Sequence, residues 1–204
     1  MGHKFADILF SEPVKVIQST RNSRASFAKW EEHEDFNNRI DERVAAFVAA
    51  RDSFYLGSVS PDGWPYIQHR GGPVGFLKVL DDKHLGFVDY SGNRQYISAG
   101  HFSVNNRVSL FLMDYPNRRR LKILGHITQV DPANTELLTR LTDPGYLAKI
   151  ERAYIISLAA FDWNCSQHIT PRFDRSTIEA HMAPLLAELD ELKRKLATTT
   201  RENS

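Results

Sequence analysis

The spacing of apolar positions changes along the chain. Residues 5–50 read as helical, most clearly over Ile40–Arg51, where Ile40, Val44, Phe47 and Val48 share one side at i, i+4, i+7 and i+8. From Ser53 the period shortens, and short segments rich in aromatic and β-branched residues follow one another: "SFYLGSVS", "WPYIQHR", "VGFLKVLDD", "KHLGFVDY", "NRVSLFLMDYP", "RRLKILGHITQV" and "RAYIISLAAFDW". Pro61-Asp62-Gly63 joins the first two. Pro presets φ, Asp bonds its own backbone and Gly accepts positive φ. Asp81-Asp82 makes the next turn. In the sixth segment Leu121, Ile123 and Ile127 alternate with Lys122, His126 and Thr128. Short strands joined mainly by tight turns predict an antiparallel barrel, because a parallel sheet needs a crossover after nearly every strand. The expected class is mainly β with flanking helices.

Two helices interrupt the strands. One is expected from near Asn93, with Ile97, Gly100, His101 and Val104 on one side. The other follows Asp131-Pro132 to about Thr142, with Asp capping and Pro in the first turn. From Ser176 the tail reads as one helix or a pair, with Ser176 and Glu179 as a capping box and Pro184 starting or kinking a second piece. Met182, Leu185, Leu189, Leu192 and Leu196 recur at heptad spacing, a seam that either docks on the barrel or pairs across a dimer. The organisation is a helical segment over 1–52, a barrel over 53–175, and a C-terminal helix with a frayed end over 176–204, one domain overall.

Composition narrows the function classes. Apolar residues are 42% and charged residues 25% of the 204, ordinary for a globular protein, and the formal net charge of +1 offers no basic field for nucleic acid or an anionic membrane. The N-terminal residues lack the apolar core of a signal peptide, and no run approaches the roughly 20 apolar residues of a membrane span. Cys165 is the only cysteine, so no intrachain disulfide can form and a cytoplasmic setting is favoured. Cys165-x-x-His168 has metal-like spacing without a second ligand pair, so no metal is expected. No P-loop, HExxH or GxSxG motif occurs.

Four stretches carry candidate chemistry. In "GFVDYSGNRQYISAG" a strand ending at Tyr90 passes through Ser91-Gly92 to Asn93, Arg94 and Gln95. Free amides at a helix start, a guanidinium and an amide side chain together suit a phosphate, and a capped turn with a solvated arginine suits the same residues. In "YIQHRGGPVGFLK", His69 and Arg70 precede paired glycines, which fit either a bend or close backbone approach to a planar ligand. "PNRRRLKILG" brings Arg118, Arg119 and Arg120 into a strand, and "FDWNCSQHITPRF" places Trp163, Cys165 and Gln167 at alternate positions as a strand ends.

The order of these stretches resembles the pyridoxamine 5′-phosphate oxidase-like family of FMN-binding split β-barrel proteins, over about residues 50–175. The resemblance implies FMN as cofactor, with Lys78, Asn93, Arg94 and Gln95 holding its phosphate and Ser91 in the same turn. It implies that the flavin ring lies near His69, Arg70 and Tyr90, with Arg120 on the strand lent across the dimer and Trp163 and Gln167 closing the site, Arg172 nearby. The partner is then a second copy, with flavin at the subunit interface. The implied activity is FMN-dependent hydride transfer to or from a small organic substrate. The alternatives are a non-enzymatic flavin-binding dimer (carrier, sensor or storage) and a different cofactor such as haem or a deazaflavin. Pro73 stands where the family has an arginine, Gln95 replaces a lysine, and the C-terminal Arg-x-His motif is missing. These departures argue against pyridoxamine phosphate as substrate. No residue is assigned as catalytic.

Overall fold

The computed structural model describes residues 3–32, 37–163 and 165–202. Four helices open the chain: α1 (Lys4–Leu9), α2 (Glu12–Thr20), α3 (Arg24–Glu32) and α4 (Glu42–Ala49). In α4 the Asp41 side chain accepts from the Val44 N–H at 2.7 Å, and Val44, Phe47 and Val48 are buried as the spacing predicts.

Seven strands follow: β1 (Ser53–Val59), β2 (Pro65–Gly71), β3 (Lys78–Val79), β4 (His84–Tyr90), β5 (Arg107–Asp114), β6 (Arg119–Gln129) and β7 (Ile150–Trp163). Helix α5 (Ile97–Val104) separates β4 from β5, and α6 (Thr135–Leu141) separates β6 from β7. The strands form one sheet in the order β2-β1-β5-β6-β7-β4-β3, with every pairing antiparallel. Four strands stand between β2 and β4 in that order, yet the Arg70 and Asp89 side chains form an ion pair. The sheet therefore curls until its ends approach, which makes it a split barrel. Its inner face closes on Phe54, Leu56, Phe87, Leu110, Leu121, Ile123 and Ile156, with Val44 and Phe47 of α4 covering one end. The fold is mainly β with flanking helices.

The structure departs from the expected elements in six respects. "VGFLKVLDD" forms a strand only over Lys78–Val79, because Gly75 turns the chain at φ 78 and donates its N–H to the Arg51 carbonyl, while Phe76 and Leu77 enter the core as loop residues. Helix α5 starts at Ile97 instead of near Asn93, since Arg94 and Tyr96 both adopt left-handed backbone. The expected face of α5 packs only in part: His101 bonds Ser58 at 2.9 Å, but Ile97 and Val104 are exposed, while Ser98 is buried and Phe102 meets Tyr154 edge-on at 5.4 Å. Asn134 caps α6 in place of Asp131. Helix α7 (Arg175–Glu202) is capped by Asp174, which accepts from the Thr177 N–H at 2.7 Å and from the Ser176 hydroxyl, so Ser176 lies inside the helix. Pro184 does not start a second piece. It sits within one assigned helix, and because Ala180 is exposed, its carbonyl, deprived of a donor, has access to water.

The chain divides into two compact units. The first is Met1–Asp114 with Arg119–Ser166, which contains the barrel. The second comprises Tyr115–Arg118 with Gln167–Ser204, within which the Arg172 guanidinium lies 4.9 Å from the Tyr115 ring centre.

Candidate anion cleft between β2 and α5

Strand alternation builds one wall. Along β2 the residues Tyr66, Gln68 and Arg70 point one way and Pro65, Ile67 and His69 the other. The first set lines a cleft of about 210 Å³, completed by Asp89 and Tyr90 from β4, the loop 92–96, the first residues of α5 and Glu151 from β7. Arg70 donates through Nη1 to Asp89, and Arg152 approaches the same carboxylate at 3.5 Å. Burial pushes the Asp89 carboxyl up from its ordinary value, with the Arg70 and Arg152 guanidinium groups pulling against it. The Nε of Arg70 is buried without a hydrogen-bond partner among the described residues.

The opposite wall is a polar loop with its own tether. Ser91 donates its hydroxyl to Glu151 at 3.1 Å, and the Tyr96 hydroxyl donates to the same oxygen at 3.4 Å. That tyrosine hydroxyl accepts from Arg94 Nε at 3.2 Å, and the Arg152 guanidinium stacks 4.7 Å over the Tyr96 ring. Desolvation pushes Glu151 up, but the bonds from Ser91 and Arg152 outweigh it, so its carboxyl lies below the usual range. Asn93 Oδ1 accepts from the Gln95 N–H at 3.1 Å and its amide donates to the Gln95 side chain.

Helix α5 opens into this space. Tyr96, its N-cap residue, makes no side-chain cap, and the first bond of the turn runs from the Gly100 N–H to the Tyr96 carbonyl. The amides of Ile97, Ser98 and Ala99 thus have no intrahelical acceptor, and all three residues line the cleft. Ser98 is fixed by donating its hydroxyl to Gln68 at 2.8 Å. Unpaired amides, a positive helix end and the exposed Arg94 guanidinium are the donor set that an oxyanion requires. The residues present fit a phosphate group.

Of the residues singled out from sequence, Arg70, Tyr90, Asn93, Arg94 and Gln95 line the cleft, and Ser91 is bonded at its edge. The others lie elsewhere. His69 is on the outer face of β2, 5.7 Å from the Tyr55 ring. Lys78 stands on the edge strand β3 opposite Gly86, with no ion pair among the described residues. Arg120 is on β6 opposite Met113, its Nε buried and unpartnered among the described residues. Trp163, at the end of β7, packs edge-on against Phe47 at 5.0 Å, between the guanidinium groups of Arg43 at 4.5 Å and Arg119 at 5.0 Å. Gln167 belongs to the second unit. The paired glycines serve packing: a Cβ on Gly72 would lie 2.7 Å from Phe76 Cγ. Tyr66, Gln68, Asp89 and Glu151 were not anticipated, although the period-2 alternation through Arg70 marks Tyr66 and Gln68 as its companions.

Among the described residues no group of three or more His, Cys, Asp or Glu could hold a metal ion, and no helix is long and apolar enough to cross a membrane. The solved structure of HupZ from Group A Streptococcus is similar in fold, with a TM-score of 0.50 at 13% identity over 66% of this chain and 100% of that one. An FMN-binding protein from Syntrophomonas wolfei subsp. wolfei aligns with a TM-score of 0.48 at 10% identity, covering 74% of this chain and 97% of its own. An F420 reductase aligns with a TM-score of 0.43 at 19% identity, over 60% and 98%. No curated protein matches the sequence. The family model described as pyridoxamine 5′-phosphate oxidase matches residues 40–163, which take in the barrel strands, the cleft and α5. Since that match spans more than half of the 204 residues, the chain belongs to the pyridoxamine 5′-phosphate oxidase family.

Proposed function

We propose that this protein binds FMN, with the phosphate at the N-terminus of α5, and works as an FMN-dependent oxidoreductase on a small organic substrate. The observation that carries the reading is the cleft itself: uncapped amides at Ile97, Ser98 and Ala99 beside the Arg94 guanidinium. Arg94 would hold the phosphate by charge-assisted bonds, while Asn93 and Gln95 flank it. Arg70, braced by Asp89, would keep a guanidinium in the opposite wall. FMN, when bound, supplies the hydride chemistry, so the protein's part is to bind, orient and admit substrate.

The cleft's volume of about 210 Å³ falls below the roughly 300 Å³ at which ligand pockets begin. One chain therefore offers part of a site, which supports completion by a second copy. The outer face of the sheet supports the same reading: a hollow of about 470 Å³ lies over Gly57, Ile67, Ser109, Leu124 and Ala159, with Ile67 exposed. His69 and Tyr55 belong to β2 and β1 on that outer side.

The first test is the visible spectrum of the purified protein. Flavin absorbance, with FMN released on denaturation, is expected; a colourless protein that cannot be reconstituted with FMN overturns the reading. Arg94→Ala should raise the FMN dissociation constant by about ten- to a hundredfold, since bonds to charged groups contribute about 1.5–3 kcal/mol. The fold should survive because the side chain is exposed. Unchanged affinity by fluorescence titration would place the phosphate elsewhere. Oxidation of NAD(P)H by the flavin-loaded protein with an added acceptor distinguishes turnover from storage.

A further inference from the structure

Helix α7 carries a longer apolar seam than its leucines alone mark. Ile178, Met182, Leu185, Leu189, Leu192 and Leu196 recur at alternating steps of four and three within one 28-residue helix, and all six are exposed, from 45% at Met182 and Leu189 to 70% at Leu196. Written as heptads, Met182, Leu189 and Leu196 take position a, and Ile178, Leu185 and Leu192 take position d. Leu186, 52% exposed at position e, widens the line over one heptad only; an a and d line sustained along the helix is the pattern by which two helices wind around each other. Pro184 and Ala187 fall at positions c and f, directed away from the seam, so the proline costs the seam nothing.

The flanking charges state what covers it. Glu188 falls at position g and Lys193 at the next e, and neither side chain has an ion pair or hydrogen bond among the described residues. Lys195, by contrast, reaches Glu191 within its own helix at 2.7 Å. In a parallel pair, g of one helix meets e of the following heptad in the other, five residues on. Glu188 of each chain then meets Lys193 of the other, twice by symmetry. In the antiparallel arrangement that buries the same six residues, centred between Leu185 and Leu189, Glu179 meets Lys193 toward each end, but Glu188 faces its own copy at the middle and the carboxylates repel, a clash the parallel pair does not have.

We propose that α7 pairs with α7 of a second copy of this chain as a parallel two-stranded coiled coil. The pairing needs no flavin, so it stands or falls separately from the cofactor reading. It ties two copies through their C-terminal helices, whatever else the barrels do.

The test uses the full chain with Cys165→Ser, so that the only thiol is the one introduced. Leu185→Cys should give mostly disulfide-linked dimer on a non-reducing gel after mild oxidation, and Ala187→Cys, on the outward face, should give little. In the Leu185→Cys background, Glu188→Lys should cut the yield several-fold and the further change Lys193→Glu should restore it. Any of several results overturns the proposal. They are equal cross-linking at 185 and 187, a charge swap without effect, or preferential mixed disulfides between Leu185→Cys and Leu189→Cys chains, which mark an antiparallel pair. A trimer by light scattering would also overturn it.

Discussion

Asp89→Ala is expected to destabilise the protein by about 3–5 kcal/mol, the range for removing one partner of a buried ion pair. The Asp89 carboxylate is the hub of its pairs, with side-chain exposures of 10% for Asp89, 14% for Arg70 and 18% for Arg152. Alanine would leave the Arg70 guanidinium in a partly dry wall with no counter-charge, since Arg152 keeps Glu151 at 3.2 Å, and Arg70 Nε already lacks a partner among the described residues. The change would also cut the side-chain link between β2 and β4, strands that make no ladder with each other. Urea denaturation should show a lower midpoint, and the cleft wall should loosen with it. Asp89→Asn keeps the shape and some hydrogen bonding, so it should cost less. A loss under about 1 kcal/mol for Asp89→Ala would mean that the pair contributes little to closure, as exposed pairs do.

Phe87→Ala should cost a similar amount, about 3–5 kcal/mol, by a different route. Phe87 is fully buried on β4, two residues before Asp89, and meets Phe54 edge-on at 5.3 Å and Tyr154 at 5.6 Å. Phe54 stacks on Phe76 at 5.5 Å, and Tyr154 meets Phe102 of α5. One aromatic chain therefore runs from the loop before β3 to the helix whose N-terminus forms the cleft. Truncating its middle leaves a cavity that β4, held in register along β7, cannot easily close. For a chain of this size the melting temperature should fall by about 10 °C. A drop of only 1–2 °C would show that the core refills the space. Because Phe102 sits at the far end of the chain, flavin affinity should weaken as well.

The barrel was largely legible from local pattern. Strand alternation and turn chemistry are properties of neighbouring residues, so "SFYLGSVS", Pro61-Asp62-Gly63 and "WPYIQHR" announce the first hairpin without further help. Where packing is long-range the reading failed. Phe76 and Leu77 are apolar because they fill the core, and that does not require a strand. Left-handed Arg94 and Tyr96 carry no residue-type signal, since glycine and asparagine are the usual markers, and so α5 begins four residues later than its composition implies.

The cleft shows the same division. Arg94 and its neighbours stood out because consecutive polar side chains after an apolar strand are visible in one line of sequence. Asp89 did not, because its partner Arg70 is 19 residues away and the contact exists only once the sheet has curled. The contacts of Trp163 with Phe47 of α4 and with Arg43 and Arg119 were equally invisible, because these residues come from separate elements.

Strand β7 bears on how this molecule breathes. It pairs with β4 on one side and β6 on the other, so most of its amides are locked into ladders. Glu151 rides at the start of that strand, while its partners Ser91 and Tyr96 lie outside any ladder, in the segment between Tyr90 and Ile97. Amide exchange should consequently be slowest along β7 and fast across that segment. The cleft would then join slowly and rapidly exchanging backbone, so a bound anion would show itself first as new protection at Asn93 to Ser98.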